Sequence, residues 1–273
     1  MKKWHLVALA ALTAVALTVA VPASAITNGQ PDGNAHPYVG LVVFDVINDQ
    51  GQQVPSHRCS GSLLTPTVFL TAGHCTDGTV AARVWFDEVV QGNPEYPFSG
   101  ATSYDGTPHT APGFCIGCGK GLPGFAIRDV GVVVLTEPVP IAAVSQYGEL
   151  PPAGLVDTLA NKTPVTLVGY GVQTQLHGGG PPVWTGPRVR LQAPSELVSG
   201  NFKHSAEFMK LALNPGGGSG GTCFGDSGGP DLLGTSNTVL AVNSYVTNSN
   251  CSGVGYSSRV DIPAVLEWIE SFM

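Results

Sequence analysis

The chain has 273 residues, only 11% of them charged, with 36 glycines, 22 prolines and a formal net charge of −7. So few charges among so many turn formers exclude a solvated helical array and an intrinsically disordered chain. The acidic balance excludes the electrostatic footprint of a nucleic-acid partner or of binding to an anionic membrane.

The first element is a leader. Lys2 and Lys3 make a short basic start, Leu6 to Val21 carries no charge, and Pro22-Ala23-Ser24-Ala25 closes with an Ala-x-Ala pattern. This reads as a signal peptide over 1–25 that is cleaved after Ala25. Its apolar core is shorter than the roughly 20 residues that span a bilayer. The expectation is a secreted, extracellular protein with no membrane association after signal cleavage. The length of chain beyond Ala25 suits one large all-β domain or two smaller ones, and no internal repeat is visible.

Short apolar runs come next, at 38–46, 61–73, 129–135, 164–171, 189–193 and 238–246. They are rich in Val, Leu, Thr and aromatics and bounded by Gly, Pro, Asn and Asp, so they read as strands of a barrel or sandwich. Residues 92–124 and 177–188 read as long loops, and the glycine-rich 214–221 as a linker but for its neighbour. A helical period appears once, over 261–273, where Ile262, Val265, Leu266, Ile269 and Phe272 form one face behind a potential Asp261 cap.

The stretch beside the glycine run, GTCFGDSGGP at 221–230, carries the chemistry. A serine between glycines can sit on a sharp turn with its hydroxyl exposed and main-chain N–H groups aimed at one point. Ser227 is then a candidate nucleophile, with the N–H groups of Gly225 and Ser227 as an oxyanion hole. A serine needs a base. His74, in LTAGHC, follows a strand-like run beside Cys75, whereas His36, His57, His109, His177 and His204 read as ordinary surface or core residues. The base needs an orienting carboxylate, and Asp129 stands immediately before the apolar run of RDVGVVVL. Acidic residues such as Asp87, Glu88 and Glu95 read as solvated loop charges rather than metal ligands, and no metal or cofactor is expected.

With TAGHC, DVGVVVL and GDSGGP in the order His74, Asp129, Ser227, the sequence resembles the chymotrypsin–trypsin family of serine peptidases from Ile26 to Met273. The resemblance implies an all-β fold: two six-stranded antiparallel β-barrels packed face to face, about 26–140 and 155–260, with a C-terminal helix at 261–273. It implies a serine endopeptidase acting on protein or peptide substrates through an acyl-enzyme, as a monomer. A catalytically silent binding module would generally have lost a member of the triad, and all three are present.

Six cysteines in an exported chain suggest three disulfides, with 15 pairings open. The resemblance pairs Cys59 with Cys75 and Cys223 with Cys251. Cys115 and Cys118, in FCIGCG, have no family counterpart; a redox pair or half of a zinc site is an alternative, but no second CxxC exists and export favours a bridge between them. The resemblance also places Gly221 at the floor of a specificity pocket, with Ser244, Val246 and Val254 on its walls. Gly221 argues against Arg or Lys selection, because a buried cation needs a paired charge. The valines suggest small or medium apolar side chains before the scissile bond. Finally, the resemblance pairs a new α-ammonium at Ile26 with Asp226, so that cleavage of the leader would both export and activate the chain.

Overall fold

A computed structural model of the chain describes residues 26, 29–118, 126–172, 174–176, 183–198, 206–214, 220–248 and 251–273. The expected signal peptide at 1–25, His177, His204 and positions 215–219 of the glycine run lie outside the described residues.

The first half contains β1 (Gln30–Pro31), β2 (Val39–Ile47), β3 (Gln53–Leu63), β4 (Val68–Thr71), α1 (Gly73–Thr76), β5 (Ala81–Trp85), β6 (Ser103–Thr110), β7 (Cys115–Ile116), β8 (Ala126–Ile127) and β9 (Gly131–Leu135). Strands β2-β3-β4-β9-β6-β5 close a six-stranded antiparallel barrel. Its interior is filled by Val42, Phe69, Val84 and Val133 with their neighbours, the close packing that a small barrel requires. Strand β6 lies inside the stretch expected to be loop. Its residues, SYDGTPHT, are polar and half exposed, so they give no apolar signal, and the ladders to β5 and β9 supply the missing definition.

The second half contains β10 (Pro164–Gly169), β11 (Thr174–Leu176), β12 (Val183–Thr185), β13 (Leu191–Glu196), β14 (Phe208–Leu213), β15 (Pro230–Leu233), β16 (Val239–Val246), β17 (Gly253–Arg259) and α2 (Pro263–Glu270). These do not form the closed six-stranded barrel expected. They make a curled, open seven-stranded sheet in the order β1-β13-β10-β15-β16-β17-β14. The physical reason is at the ends: β13 and β14 approach each other through one bridge, Leu197 to Leu211, while β1 pairs with β13 over Gln30 and Pro31. The curl encloses a second apolar cluster of Val165, Leu167, Met209, Leu211 and Ala241, which Ile26 joins fully buried.

Helix α2 is shorter than 261–273 and packs Val265, Leu266 and Ile269 inward. Asp261 does not cap it: the carboxylate pairs with Arg259 and accepts the Val156 N–H.

Candidate active site

The first barrel presents a histidine and an aspartate. His74 lies in α1, just after β4, and the Cys59–Cys75 disulfide ties that turn back to β3. Asp129 sits between β8 and β9 and is fully buried. Its Oδ1 accepts the His74 backbone N–H at 2.6 Å, and its Oδ2 lies 2.8 Å from His74 Nδ1. The Ser244 hydroxyl, from β16 in the second sheet, donates to the same Oδ2. Burial opposes the charged form of His74, but the charge of Asp129 and its hydrogen bond outweigh this, so the imidazole pKa is raised above its ordinary 6.5. With Nδ1 donating to the carboxylate, the Nε2 lone pair faces the cavity as a proton acceptor.

Ser227 is on the turn between the Cys223–Cys251 disulfide and β15. Gly225 and Gly228 flank this turn at φ +95° and +76°, left-handed values that other residues adopt at a cost. At Gly228 there is also no space: a Cβ would lie 2.1 Å from Thr71 Oγ1 and 2.6 Å from Ala72 N and Ser60 O. The turn is pinned by Ser60 N–H to Ser227 O at 2.8 Å and Gly228 N–H to Asn243 O at 2.8 Å. Among the described residues the N–H groups of Gly225 and Ser227 have no acceptor. Ser227 and His74 line one cavity of about 240 Å³. No hydrogen bond joins the Ser227 hydroxyl to the imidazole, whose Nε2 is 3.6 Å from Cys75 Sγ; such contacts tighten when substrate fills the cavity.

The same cavity is lined by Ser244 and Val246, together with Thr222, Phe224, Asn243 and Tyr245. Gly221, buried, and Val254 do not line it. A register shift between Asn243 and Tyr245 places Gly255 opposite Val246, while Val254 stands opposite Ala212 on β14. The cross-strand neighbour of Val246 is therefore a glycine instead of a second branched residue. The sequence reading also missed that Ser244 bonds Asp129, a contact spanning 115 positions with no local motif to mark it.

Asp226 is fully buried and accepts the N–H groups of Gly171 at 2.8 Å and Cys223 at 3.0 Å. Burial pushes its carboxyl up to about 7, opposed by those two amides and by Arg58. Ile26 is buried in the second cluster, and no bond or ion pair joins it to Asp226 among the described residues. Its nitrogen is still in a peptide bond with Ala25. The Cys115–Cys118 bridge is formed, completing three disulfides. The group of possible metal ligands formed by Cys59, His74 and Cys75 has both sulfurs in a disulfide, so it offers no thiolate.

The family model described as Trypsin matches residues 29–269. Chymotrypsin-like elastase family member 3A of Homo sapiens is 28% identical over 230 residues, covering 78% of this chain and 77% of its own. Proproteinase E of Bos taurus is 28% identical over 230 residues, covering 78% of this chain and 83% of its own. A solved structure of HL collagenase aligns with a TM-score of 0.65 over 89% of this chain and 96% of that one, at 19% identity, a similarity of fold.

Proposed function

We propose, from the premise that this chain belongs to the trypsin family and is a serine-type endopeptidase, that it is a secreted enzyme working through an acyl-enzyme on Ser227. The observation that carries this reading is the fully buried Asp129 carboxylate joined to His74 Nδ1, with His74 and Ser227 on one cavity wall. Ser227 Oγ attacks the peptide carbonyl carbon as His74 Nε2 takes its proton, and Asp129 stabilises the resulting imidazolium. The unengaged N–H groups of Gly225 and Ser227 are the donors for the tetrahedral oxyanion, each worth about 3 kcal/mol in such sites. His74 then protonates the departing amine, and water repeats the sequence on the ester.

The side chain before the scissile bond is small or medium and apolar. Val246 supports this, as does the lack of any acidic residue among the described lining residues. Removal of residues 1–25 frees the Ile26 ammonium, which then neutralises Asp226; a carboxylate whose burial already pushes it up to about 7 gains from any cation brought to it. Labelling by a fluorophosphonate probe, abolished in Ser227→Ala, tests the nucleophile. Mass spectrometry of the secreted protein tests the start at Ile26, and peptides ending in Ala, Val, Leu, Phe or Arg test the pocket. Preferred cleavage after Arg, or a mature start elsewhere, overturns the corresponding part.

A further inference from the structure

The FCIGCG motif has no part in the chemistry above, yet it lies against the site. Strand β7 pairs with β8, Cys115 opposite Ile127 and Ile116 opposite Ala126, and Asp129 follows β8 by two residues. A second cavity, of about 210 Å³, is lined by His74, Asp129, Ser244 and Tyr245 on one side and by Ile116 and Ala126 on the other. Ile116 is 59% exposed. The turn that presents it is closed by the Cys115–Cys118 bridge.

The three disulfides differ sharply in access. Cys59, Cys75, Cys223 and Cys251 are all buried, whereas Cys115 is half-buried and Cys118 exposed. Thiol–disulfide exchange needs a thiolate to reach a sulfur atom, so access selects the bridge that opens. Loop length points the same way. The buried bridges span separations of 16 and 28 residues and this one spans 3, so it restricts the unfolded chain least and its opening costs the fold least stability.

We propose that the Cys115–Cys118 bridge is a thiol-exchange site for external dithiols, and that its state controls recognition at the cavity beside His74 and Asp129. One thiolate of the dithiol attacks Cys118 Sγ, and Cys115 leaves as a thiolate and takes a proton. The second thiol of the donor then resolves the mixed disulfide. Two electrons and two protons pass to the protein, and the donor leaves as its own disulfide. With the bridge closed, Ile116 is a fixed apolar wall for the substrate residue one step further from the scissile bond than the residue entering the main cavity. With it open, Ile116 is held only by the two-residue pairing of β7 with β8, and that preference weakens.

This consequence rests on the peptidase reading, and the exchange itself does not. The test treats the native enzyme with dithiothreitol, alkylates it, and maps the modified cysteines. Expected is alkylation at Cys115 and Cys118 alone. Expected too is a roughly three- to tenfold fall in kcat/KM for peptides with Leu or Val at the second position, mainly through KM, with little change for Gly there. Fluorophosphonate labelling of Ser227 should persist in the reduced enzyme. The Cys115→Ser/Cys118→Ser variant should match the reduced enzyme and ignore the dithiol, and Ile116→Ser should lose the apolar preference with its bridge intact. Alkylation first at any other cysteine, or unchanged selectivity in the double variant, overturns the proposal. Failure of Ser227 labelling before reduction would instead sink the peptidase reading, while the alkylation map would still report on the bridge.

Discussion

Asp231, on β15, stands opposite Leu167 of β10 and Ala241 of β16, and cross-strand partners share a face, so its carboxyl group is directed into the apolar second cluster. It is fully buried. Among the described residues neither oxygen makes a hydrogen bond of good geometry, the Ser257 hydroxyl being the polar group beside them, and burial pushes the group up to about 8. The folded chain thus holds a proton that the unfolded chain releases above about 4, so stability falls as pH rises from about 4 to about 8. Asp231→Asn, made in a Ser227→Ala background to prevent self-digestion, should remove much of this slope and be more stable than its parent at pH 8 by roughly 2–4 kcal/mol. Urea unfolding at pH 5 and 8 checks it, and equal slopes would refute it; Asp226 contributes a residual slope of the same sign. Ser244 raises a second question of single groups. Its hydroxyl is one of three donors on the Asp129 carboxylate, and a hydrogen bond to a charged group is worth about 1.5–3 kcal/mol. Ser244→Ala should lower kcat/KM roughly tenfold to a hundredfold. It should also move the acidic limb of the profile upward, because a carboxylate with fewer donors raises the His74 pKa further. Asp129→Asn should move that limb down, and a limb unchanged in Ser244→Ala would show that the hydroxyl does not act through Asp129.

At the scale of elements, the turn from Gly225 to Gly229 is fitted against the end of β4 and the body of β3. A Gly228→Ala methyl would meet Thr71 Oγ1, Ala72 N and Ser60 O, two of them backbone atoms that cannot swing away. Gly234→Ala is the control, because its φ of +55° is also left-handed but none of the described residues lies within 4 Å of the added Cβ. The control should lose roughly 1 kcal/mol to backbone strain alone. Gly228→Ala should lose at least about 2 kcal/mol more and fail to take the fluorophosphonate, since the Ser227 backbone must shift. Equal melting temperatures for the two variants would mean that the turn is not so confined. This fit also explains what was legible in the sequence. GDSGGP and TAGHC are short, and the constraints on them are local enough to leave a motif. Strand β6 is held by its ladders to β5 and β9 and the first half of β3 by its hairpin with β2, and neither carries an apolar run of its own, so SYDGTPHT and QVPSH look like loop. Strand β14 did carry a signal, since Met209, Leu211 and Leu213 alternate inward with period two. The register shift that puts Gly255 opposite Val246, and the reach of Ser244 to Asp129, arise only when the sheets assemble.

The proposed active site draws His74 and Asp129 from the barrel and Ser227 and Ser244 from the curled sheet, so whatever fixes the two relative to each other fixes the proposed chemistry. Arg190, just before β13, is fully buried and does much of this. Its Nε donates to Asp32 Oδ2 at 3.0 Å. One terminal nitrogen donates to Val39 O and Phe86 O in the first half and to the Tyr170 hydroxyl in the second, and the other donates to Asn34 Oδ1. Asp32 also accepts from the His36 backbone and lies 2.6 Å from His36 Nδ1. One guanidinium therefore joins the segment between β1 and β2, the barrel and the sheet. Arg190→Met keeps the apolar stem but strands the Asp32 carboxylate, and should cost roughly 3–5 kcal/mol near neutral pH and lower kcat/KM as the two halves loosen. Adding Asp32→Asn removes the stranded charge, so the double variant should be more stable than Arg190→Met alone, a coupling that urea unfolding of the four proteins measures. The pH dependence supplies the sharper check. In the intact protein burial raises the Asp32 pKa, but the His36 bonds and Arg190 outweigh it and hold it below the ordinary 3.8, so its stabilisation is present above that value and lost on acidification. Without the guanidinium the balance tips toward burial and the folded pKa rises, so the variant gains stability relative to its parent as pH falls toward 4. The stability gap should narrow on acidification; a gap that stays constant from pH 7 to 4 would show that Arg190 acts through its neutral hydrogen bonds to Val39 and Phe86 and not through Asp32.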